Sequence, residues 1–393
     1  MDRYIEMRLK AWLHRPQPDK ATMDIPELGA ACGMTIGQVR KENQDRMIIT
    51  RMRNIFGLPP TTIFAVCDGM GGMMDGRECA ENTLAVLLDS FVRSTQTDIK
   101  ARLRKSILEA NEEVFRQYKQ RGGSTVAVIC KSNNRLVAAT VGDTRIFSLT
   151  AGSILKQISV DDTIAGELNR NRGFNTENPN LEPFANQLAQ FVGIGSELEP
   201  RVFDLPIQND VSYFIASDGA YNIGNAFEGI LVNAPNLLSA VNRIIATSSW
   251  MGGKDNATII CIQPDRREFQ NTSSEITLEF WDGIGKVELI PRLYHEMSGN
   301  KQTSLETYKE SKNNTQDSGY KTPKKKEKTG QQKSKSKNPN PIRQPLEIEF
   351  GKSPAQDTLF KDSDQQMNPT PEKSNPSTIE SKGKANESDG SHI

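Results

Sequence analysis

Histidine is almost absent: the 393 residues contain three, His14, His295 and His392. All three lie outside the stretch in which strand-like and helical patterns concentrate, which excludes imidazole ligation of a metal there. Cysteine is scarce and odd in number (Cys32, Cys67, Cys79, Cys130, Cys261), and no Cys-x-x-Cys pair occurs. A zinc ribbon and a disulfide framework are therefore not expected. Cys67, Cys130 and Cys261 sit in apolar runs and read as buried, reduced thiols, as in a cytoplasmic protein. Net charge is also lacking, 49 Lys and Arg against 49 Asp and Glu. Bulk charge thus gives no reason to expect a nucleic-acid or anionic-membrane partner. No apolar run approaches the ~20 residues of a membrane helix. The charge-studded start, Met1 to Lys10, has no apolar signal core, so no membrane association is expected.

The mean hydropathy, -0.57, is low for a fully globular chain. Its source lies beyond about Arg266, where Lys, Ser, Asn, Gln and Pro take over and burial cannot offset ordering entropy. Three regions are expected: a polar N-terminal lead-in over 1–28 with a short helix around Tyr4 to Leu13, a folded domain over 29–264, and a largely disordered tail over 265–393.

Within the domain, short β-branched runs recur at 47–50, 62–67, 125–130, 136–141, 211–216 and 257–262, each bounded by turn-forming residues. Ile99, Leu103, Ile107, Ala110, Val114 and Tyr118 repeat at helical spacing, as do Leu84, Leu87, Leu88 and Phe91, and Leu237, Leu238, Val241, Ile244 and Ile245. The runs at 125–130 and 136–141 and a further short run, Arg145 to Ser148, follow through short turns, which predicts an antiparallel meander. The fold class expected is α+β: two antiparallel β-sheets packed as a sandwich and flanked by helices on the outside. Residues 161–195 break the rhythm and read as a surface flap.

Aspartates recur at the ends of these runs. Asp68 and Asp218 each follow a strand and precede Gly, Asp143 lies in a tight turn, Asp255 precedes the last strand and Asp45 the first. Carboxylates next to glycines suit a cluster of hard cations, and oxygen ligands favour Mg or Mn over Zn or Cu. Any single Asp-Gly after a strand is more often a turn than a ligand. The flanking residues decide the matter.

Those flanks resemble, in order and over about residues 33–263, the metal-dependent (PPM, type-2C) serine/threonine protein phosphatases of bacterial type. The resemblance is carried by Gly37-Gln38-Val39-Arg40-Lys41-Glu42-Asn43-Gln44-Asp45, by Asp68-Gly69-Met70-Gly71-Gly72 with Gly76 and Glu78, and by Gly123-Ser124-Thr125. Val141-Gly142-Asp143-Thr144-Arg145, Ser217-Asp218-Gly219 and Lys254-Asp255-Asn256-Ala257-Thr258 complete it. It implies hydrolysis of phosphoserine and phosphothreonine on proteins at a dinuclear Mn2+ or Mg2+ site. Asp68 would bridge two ions, with the Gly69 carbonyl on the first and Asp218 and Asp255 on the second. Asp143, with Asp218, would support a third, weaker ion. Asp45 matches an acid that acts from behind the direct ligands or through a water, and Arg40 would grip the phosphate with its planar fork. A water bridging the two ions would be the nucleophile.

The chain departs from the family where histidine is often found. Met70 and Met73 stand beside Asp68, so the acid that protonates the leaving oxygen has no named residue, and Asp162-Thr163 replaces an acid-His pair before the flap. Partners expected are Ser/Thr-phosphorylated proteins and a cognate kinase. Two alternatives stay open: a pseudophosphatase scaffold, and a phosphatase of an anti-sigma-antagonist switch. In the tail, 275–283 and 345–351 share an apolar/acidic alternation that could dock on a protein partner as a strand. The lysine-rich block 321–337 lacks interleaved aromatics, and nucleic-acid binding is not expected of it.

Overall fold

Along β4 (Thr61–Cys67), Ile63, Ala65 and Cys67 pack to one side while Phe64 and Val66 pack to the other. This is the period of two of a strand, and both faces are apolar because the sheet is covered on both sides. The computed structural model describes residues 3–54, 59–70, 75–152, 154–171, 187–208, 210–264 and 277–289. These all fall in a unit spanning Met1–Thr315; a second unit, Gln316–Ile393, lies wholly outside the described residues.

Two antiparallel sheets form the centre. The first contains β1 (Lys20–Ile25), β2 (Ala30–Thr35), β11 (Ala257–Ile262), β10 (Val211–Ala216), β7 (Arg145–Thr150) and β8 (Lys156–Gln157), in that spatial order. The second runs β13 (Lys286–Leu289), β12 (Thr277–Trp281), β3 (Arg46–Arg53), β4, β5 (Val126–Ser132), β6 (Arg135–Val141) and β9 (Arg201–Leu205). Cys32, Met34, Tyr213, Ile215 and Ile260 of one sheet meet Met47, Ile49, Phe64, Val66 and Ile129 of the other. Each such side chain, fully buried, contributes ~1.5–3 kcal/mol.

Helices cover the outer faces. Cys79, Leu84, Leu87, Leu88 and Phe91 of α2 (Gly76–Arg93) and Leu103, Ile107, Ala110 and Val114 of α3 (Ile99–Tyr118) pack on the second sheet. On the first sheet lie α5 (Asp218–Tyr221), α6 (Asn225–Asn233) and α7 (Leu237–Trp250), through Phe227, Leu231, Val241, Ile244 and Ile245. The expected α+β sandwich is the observed one.

Four expectations need correction. The β5–β6 hairpin does not continue as a meander: at the turn Gly142-Asp143-Thr144 the chain crosses to the other sheet, where β7 pairs with β10. The boundary drawn at residue 28 falls inside the fold. Ile5, Leu9 and Leu13, spaced i, i+4, i+8, bury one face of α1 (Tyr4–Leu13) in the core shared with α2, and β1 pairs with β2 along its whole length. The boundary at 264 also falls short, because Thr277–Trp281 pairs with β3 and buries Leu278, Phe280 and Trp281. The first apolar/acidic tail motif is thus a sheet strand over its described part. Residues 275 and 276, the second motif (345–351) and the lysine block (321–337) lie outside the described residues. Lastly, the irregular stretch from 161 opens with a helix, α4 (Ile164–Asn171), and Val192 returns to bridge Ser124; residues 172–186 lie outside the described ones.

All five cysteines are buried and unpaired, as the apolar flanks of Cys67, Cys130 and Cys261 predict for those three. Among the described residues no helix is long and apolar enough to cross a membrane.

Candidate metal centre

The turns that leave β2, β4, β6 and β10, and those that enter β3 and β11, carry all seven residues singled out above. The backbone of Asp68 is fixed by the start of β5. Its N–H donates to Thr125 Oγ1 at 3.0 Å, its carbonyl accepts from Thr125 N at 2.9 Å and from Ser124 Oγ at 2.9 Å. Thr125 Oγ1 in turn lies 2.6 Å from Thr144 Oγ1, which ties the Asp68 turn to the Asp143 turn. Gly69 permits this packing, since a Cβ there would collide with the Gly76 carbonyl at the start of α2.

Asp45 is buried, and one oxygen, Oδ2, accepts from Ser217 Oγ at 2.7 Å. Ser217 Oγ accepts from Thr258 N at 2.9 Å, so its proton is directed at Asp45. The Asp45 loop is held from beneath by Arg46, which donates to the carbonyls of Asn43 and Asp45 at 2.8 and 2.7 Å and pairs with Glu81 at 2.7 Å. Asn256 closes the other side. It accepts from Gln44 N at 2.8 Å and donates to the carbonyls of Ile36 and Glu42 at 2.9 and 3.1 Å.

The Arg40 loop lies on the Asp255 loop. Gly37 (φ 81°) makes this possible, because a Cβ there would stand 2.5 Å from the Asp255 carbonyl. Arg40 Nη2 donates to Asp255 Oδ2 at 2.6 Å, and Asp255 Oδ1 accepts from Asn256 N at 2.8 Å. Asp143 is positioned by its neighbours: Tyr221 Oη donates to its carbonyl at 3.1 Å, and Arg145 stacks over the Tyr221 ring at 4.1 Å while pairing with Asp161 at 2.7 Å.

Five carboxylates share one field. Withdrawal from water, then the charges of Asp45, Asp218, Asp143 and Asp255, push the Asp68 carboxyl well above the ordinary carboxylate range. Burial pushes Asp45 up to about 6 against the bond from Ser217, and burial with the charges of Asp218 and Asp161 pushes Asp143 up to about 7. Asp218 rises for the same reasons, burial and then Asp255, with Arg40 and Arg145 opposing. Packed like charges of this kind are relieved by protonation or by a counter-cation.

Among the described residues no three Asp, Glu, His or Cys side chains are drawn together as a finished cage. The polar inventory nevertheless fits a cation. Asp45 Oδ1 and Asp218 Oδ1 are buried and have no hydrogen-bond partner, a costly arrangement for two carboxylates unless a positive charge faces them. Carboxylate and carbonyl oxygens without imidazole or thiolate suit Mg2+ or Mn2+.

The sequence motifs pointed to Arg40, Asp45, Asp68, Gly69, Asp143, Asp218 and Asp255, and the fold brings all of them to one end of the sandwich. It adds Ser217, Thr125, Thr144, Asn256, Arg46 and Tyr221 as positioning residues. Ser217, Thr125, Thr144 and Asn256 stand within the quoted motifs, and for Ser217, Thr144 and Asn256 adjacency to an aspartate was the signal available. Arg46 follows Asp45 but stands outside the quoted motifs, and Tyr221 is adjacent to no aspartate. Met70 offers its N–H to Gly123 O at 3.1 Å, and its thioether is no acid; Gly71, Gly72 and Met73 lie outside the described residues. A cavity of about 1020 Å³ between α3, β9 and the start of the flap is lined by Arg104, Glu167 and Arg201 and by none of the seven residues.

The chain is similar to known proteins in sequence and in fold. The family model described as protein phosphatase 2C matches residues 31–172. The chain is 26% identical over 240 residues to the serine/threonine phosphatase stp of Listeria monocytogenes, covering 58% of this chain and 93% of that protein. It is 26% identical over 243 residues to the protein phosphatase PhpP of Streptococcus pneumoniae, covering 59% and 96%. The fold is similar to that of the PPM Ser-Thr phosphatase MsPP of Mycobacterium smegmatis, solved with cacodylate: the TM-score is 0.51 at 23% identity, over 61% of this chain and 99% of that one.

Proposed function

Because the chain is a metal-dependent protein serine/threonine phosphatase of the 2C type, we propose that it hydrolyses phosphoserine and phosphothreonine at a dinuclear Mn2+ or Mg2+ site. The observation that carries this reading is the pair of buried, partnerless oxygens of Asp45 and Asp218 within a group of mutually repelling carboxylates. In this reading Asp68 and the Gly69 carbonyl would hold the first ion, and Asp68, Asp218 and Asp255 the second. Asp143 with Asp218 would serve a third. Such ions, when bound, activate a water toward phosphorus and neutralise phosphate charge.

The chain's own residues supply position and charge. Arg40 is the counter-charge of Asp255 here, and when released from it offers both arms of its fork to two phosphate oxygens. Ser217 keeps Asp45 oriented, and Thr125 keeps the Asp68 turn in register with the Asp143 turn. The physiological setting proposed is cytoplasmic and opposed to a Ser/Thr kinase, supported by the five unpaired thiols and by the phosphatases the chain resembles.

The direct test is hydrolysis of p-nitrophenyl phosphate with Mn2+. Turnover should vanish on chelation and return when Mn2+ is restored in excess. A chain that stays inactive across Mn2+ and Mg2+ titrations would be a scaffold instead.

A further inference from the structure

Trp250 is 84% exposed, Val39 66% and Met251 50%, among the largest exposures of any apolar side chains in the described fold. They are neighbours. The turn that ends α7 returns Gly253 N to Ser248 O at 3.0 Å, and the Gly253 carbonyl accepts from Gln38 N at 2.7 Å and Val39 N at 3.2 Å. Gln38 Nε2 also donates to Ser249 O at 2.9 Å. The turn bearing Trp250 and Met251 is therefore bonded on both flanks to the loop bearing Val39, and the next residue in that loop is Arg40. Two residues beyond Gly253 stands Asp255, bonded to Arg40.

Packing does not require this patch. The inward face of α7 is Ala240, Val241, Ile244, Ile245 and Ser248, and Trp250 falls off it. An exposed tryptophan with apolar neighbours is the usual make-up of an interface anchor, since it offers a large rigid surface at small entropic cost. Its surroundings are basic. Lys41 and Lys254 are exposed beside Arg40, and the nearby Glu42 is matched by Arg77 at 3.6 Å. An apolar platform edged with cations and continuous with a phosphate-gripping arginine fits a ligand that is anionic at one point and apolar next to it.

Resting on the phosphatase reading above, we infer that Val39, Trp250 and Met251 form a substrate-selecting platform. It takes the residues that flank the phosphorylated serine or threonine in an extended segment of the substrate protein, and it favours aromatic or branched aliphatic side chains there. The platform acts on affinity for the segment, while the carboxylates act on the phosphoryl group.

The test uses the full chain with Mn2+ and two phosphothreonine peptides, one with Phe and Leu beside the phosphoresidue and one with Ser and Gly. The wild type should show a KM ~10-fold lower for the apolar peptide, a difference of one hot-spot contact. In Trp250→Ala that preference should fall to ~2-fold with the ratio of kcat values between the peptides kept, and Val39→Ser should fall between. Equal KM values in the wild type, or an undiminished preference in Trp250→Ala, would overturn the inference. So would a Trp250-dependent dimer with unaltered peptide preference, which assigns the patch to a second copy of the chain. Wild-type turnover of p-nitrophenyl phosphate separates the two levels. If it is present, these outcomes bear on the platform alone; if it is absent, the phosphatase reading fails and the platform with it.

Discussion

Ser217 Oγ stands 2.7 Å from Asp45 Oδ2, while the other oxygen of that carboxylate is buried without a partner. One serine thus fixes which oxygen of Asp45 is spent on the protein and which is left without a protein partner. Ser217→Ala would free the carboxylate to rotate and leave Thr258 N without its acceptor. Loss of a supporting bond of this kind weakens metal sites ~10–100-fold. The expected outcome is a rise of at least tenfold in the Mn2+ concentration that half-saturates p-nitrophenyl phosphate turnover. An unchanged Mn2+ requirement would show that Asp45 has no part in ion binding.

Asp143 gives a pH-dependent prediction. Its carboxyl sits at about 7 in the fold, against ~3.9 in an unfolded chain. The folded state therefore holds this proton more tightly. Its contribution to stability is full below pH ~4 and is lost as pH rises toward ~7. In excess chelator, Asp143→Asn should melt above the wild type at pH 8, and the gap should close at pH 4. For a chain of this size, 1 kcal/mol corresponds to ~2–4 °C. A variant that melts below the wild type at pH 8 in chelator would contradict the repulsion argument.

Arg40 uses one arm on Asp255. Arg40→Lys retains the charge for that contact but not the planar fork, so the fold should hold while the KM for phosphopeptide rises ~10-fold or more. Circular dichroism and steady-state kinetics together check this. An unaltered KM would remove Arg40 from phosphate recognition.

Arg51 and Glu279 fasten the β12–β13 hairpin to β3 through two bonds of 2.5 and 2.8 Å. Burial raises the Glu279 carboxyl, but the bonds from Arg51 and Lys286 outweigh it and bring it down to about 2. The sign is opposite to that of Asp143. The pair stabilises fully above the unfolded value of ~4.3 and fades as pH falls toward 2. Glu279→Gln should cost ~3 kcal/mol at pH 7, as breaking a buried pair does, and much less near pH 2. Urea unfolding at the two pH values measures the difference.

Seven strands, β3 to β7, β10 and β11, were legible because each carries a short apolar or β-branched run bounded by turn residues. β2 escaped notice because Ala30, Ala31, Cys32 and Gly33 are small and have no such signature, although a Cβ at Gly33 would collide with α7. α1 was legible as a helix around Tyr4 to Leu13, but its docking on α2 was not; β1 was hidden by its polar, exposed residues, and β12 was legible as a strand-forming motif but was assigned to a protein partner because of the polar stretch before it. At the site, the ligand candidates were readable because Asp-Gly motifs recur in a known order. Ser217, Thr125 and Asn256 were not readable as positioning residues, because their role depends on which strands become neighbours. Arg46 is further removed, since its task of joining α1, Glu81 and the Asp45 loop exists only once α2 has packed.

The central claim is that Asp68 joins the ions to the reaction. It is tested most directly by phosphate release from a phosphothreonine peptide, measured for the wild type and Asp68→Asn across a Mn2+ titration. Release by the wild type should depend on Mn2+ and should be reduced ~1000-fold or more in Asp68→Asn at every Mn2+ concentration, with the melting temperature in chelator unchanged or raised. Wild-type rates in Asp68→Asn, or release that persists in excess chelator, would contradict the account.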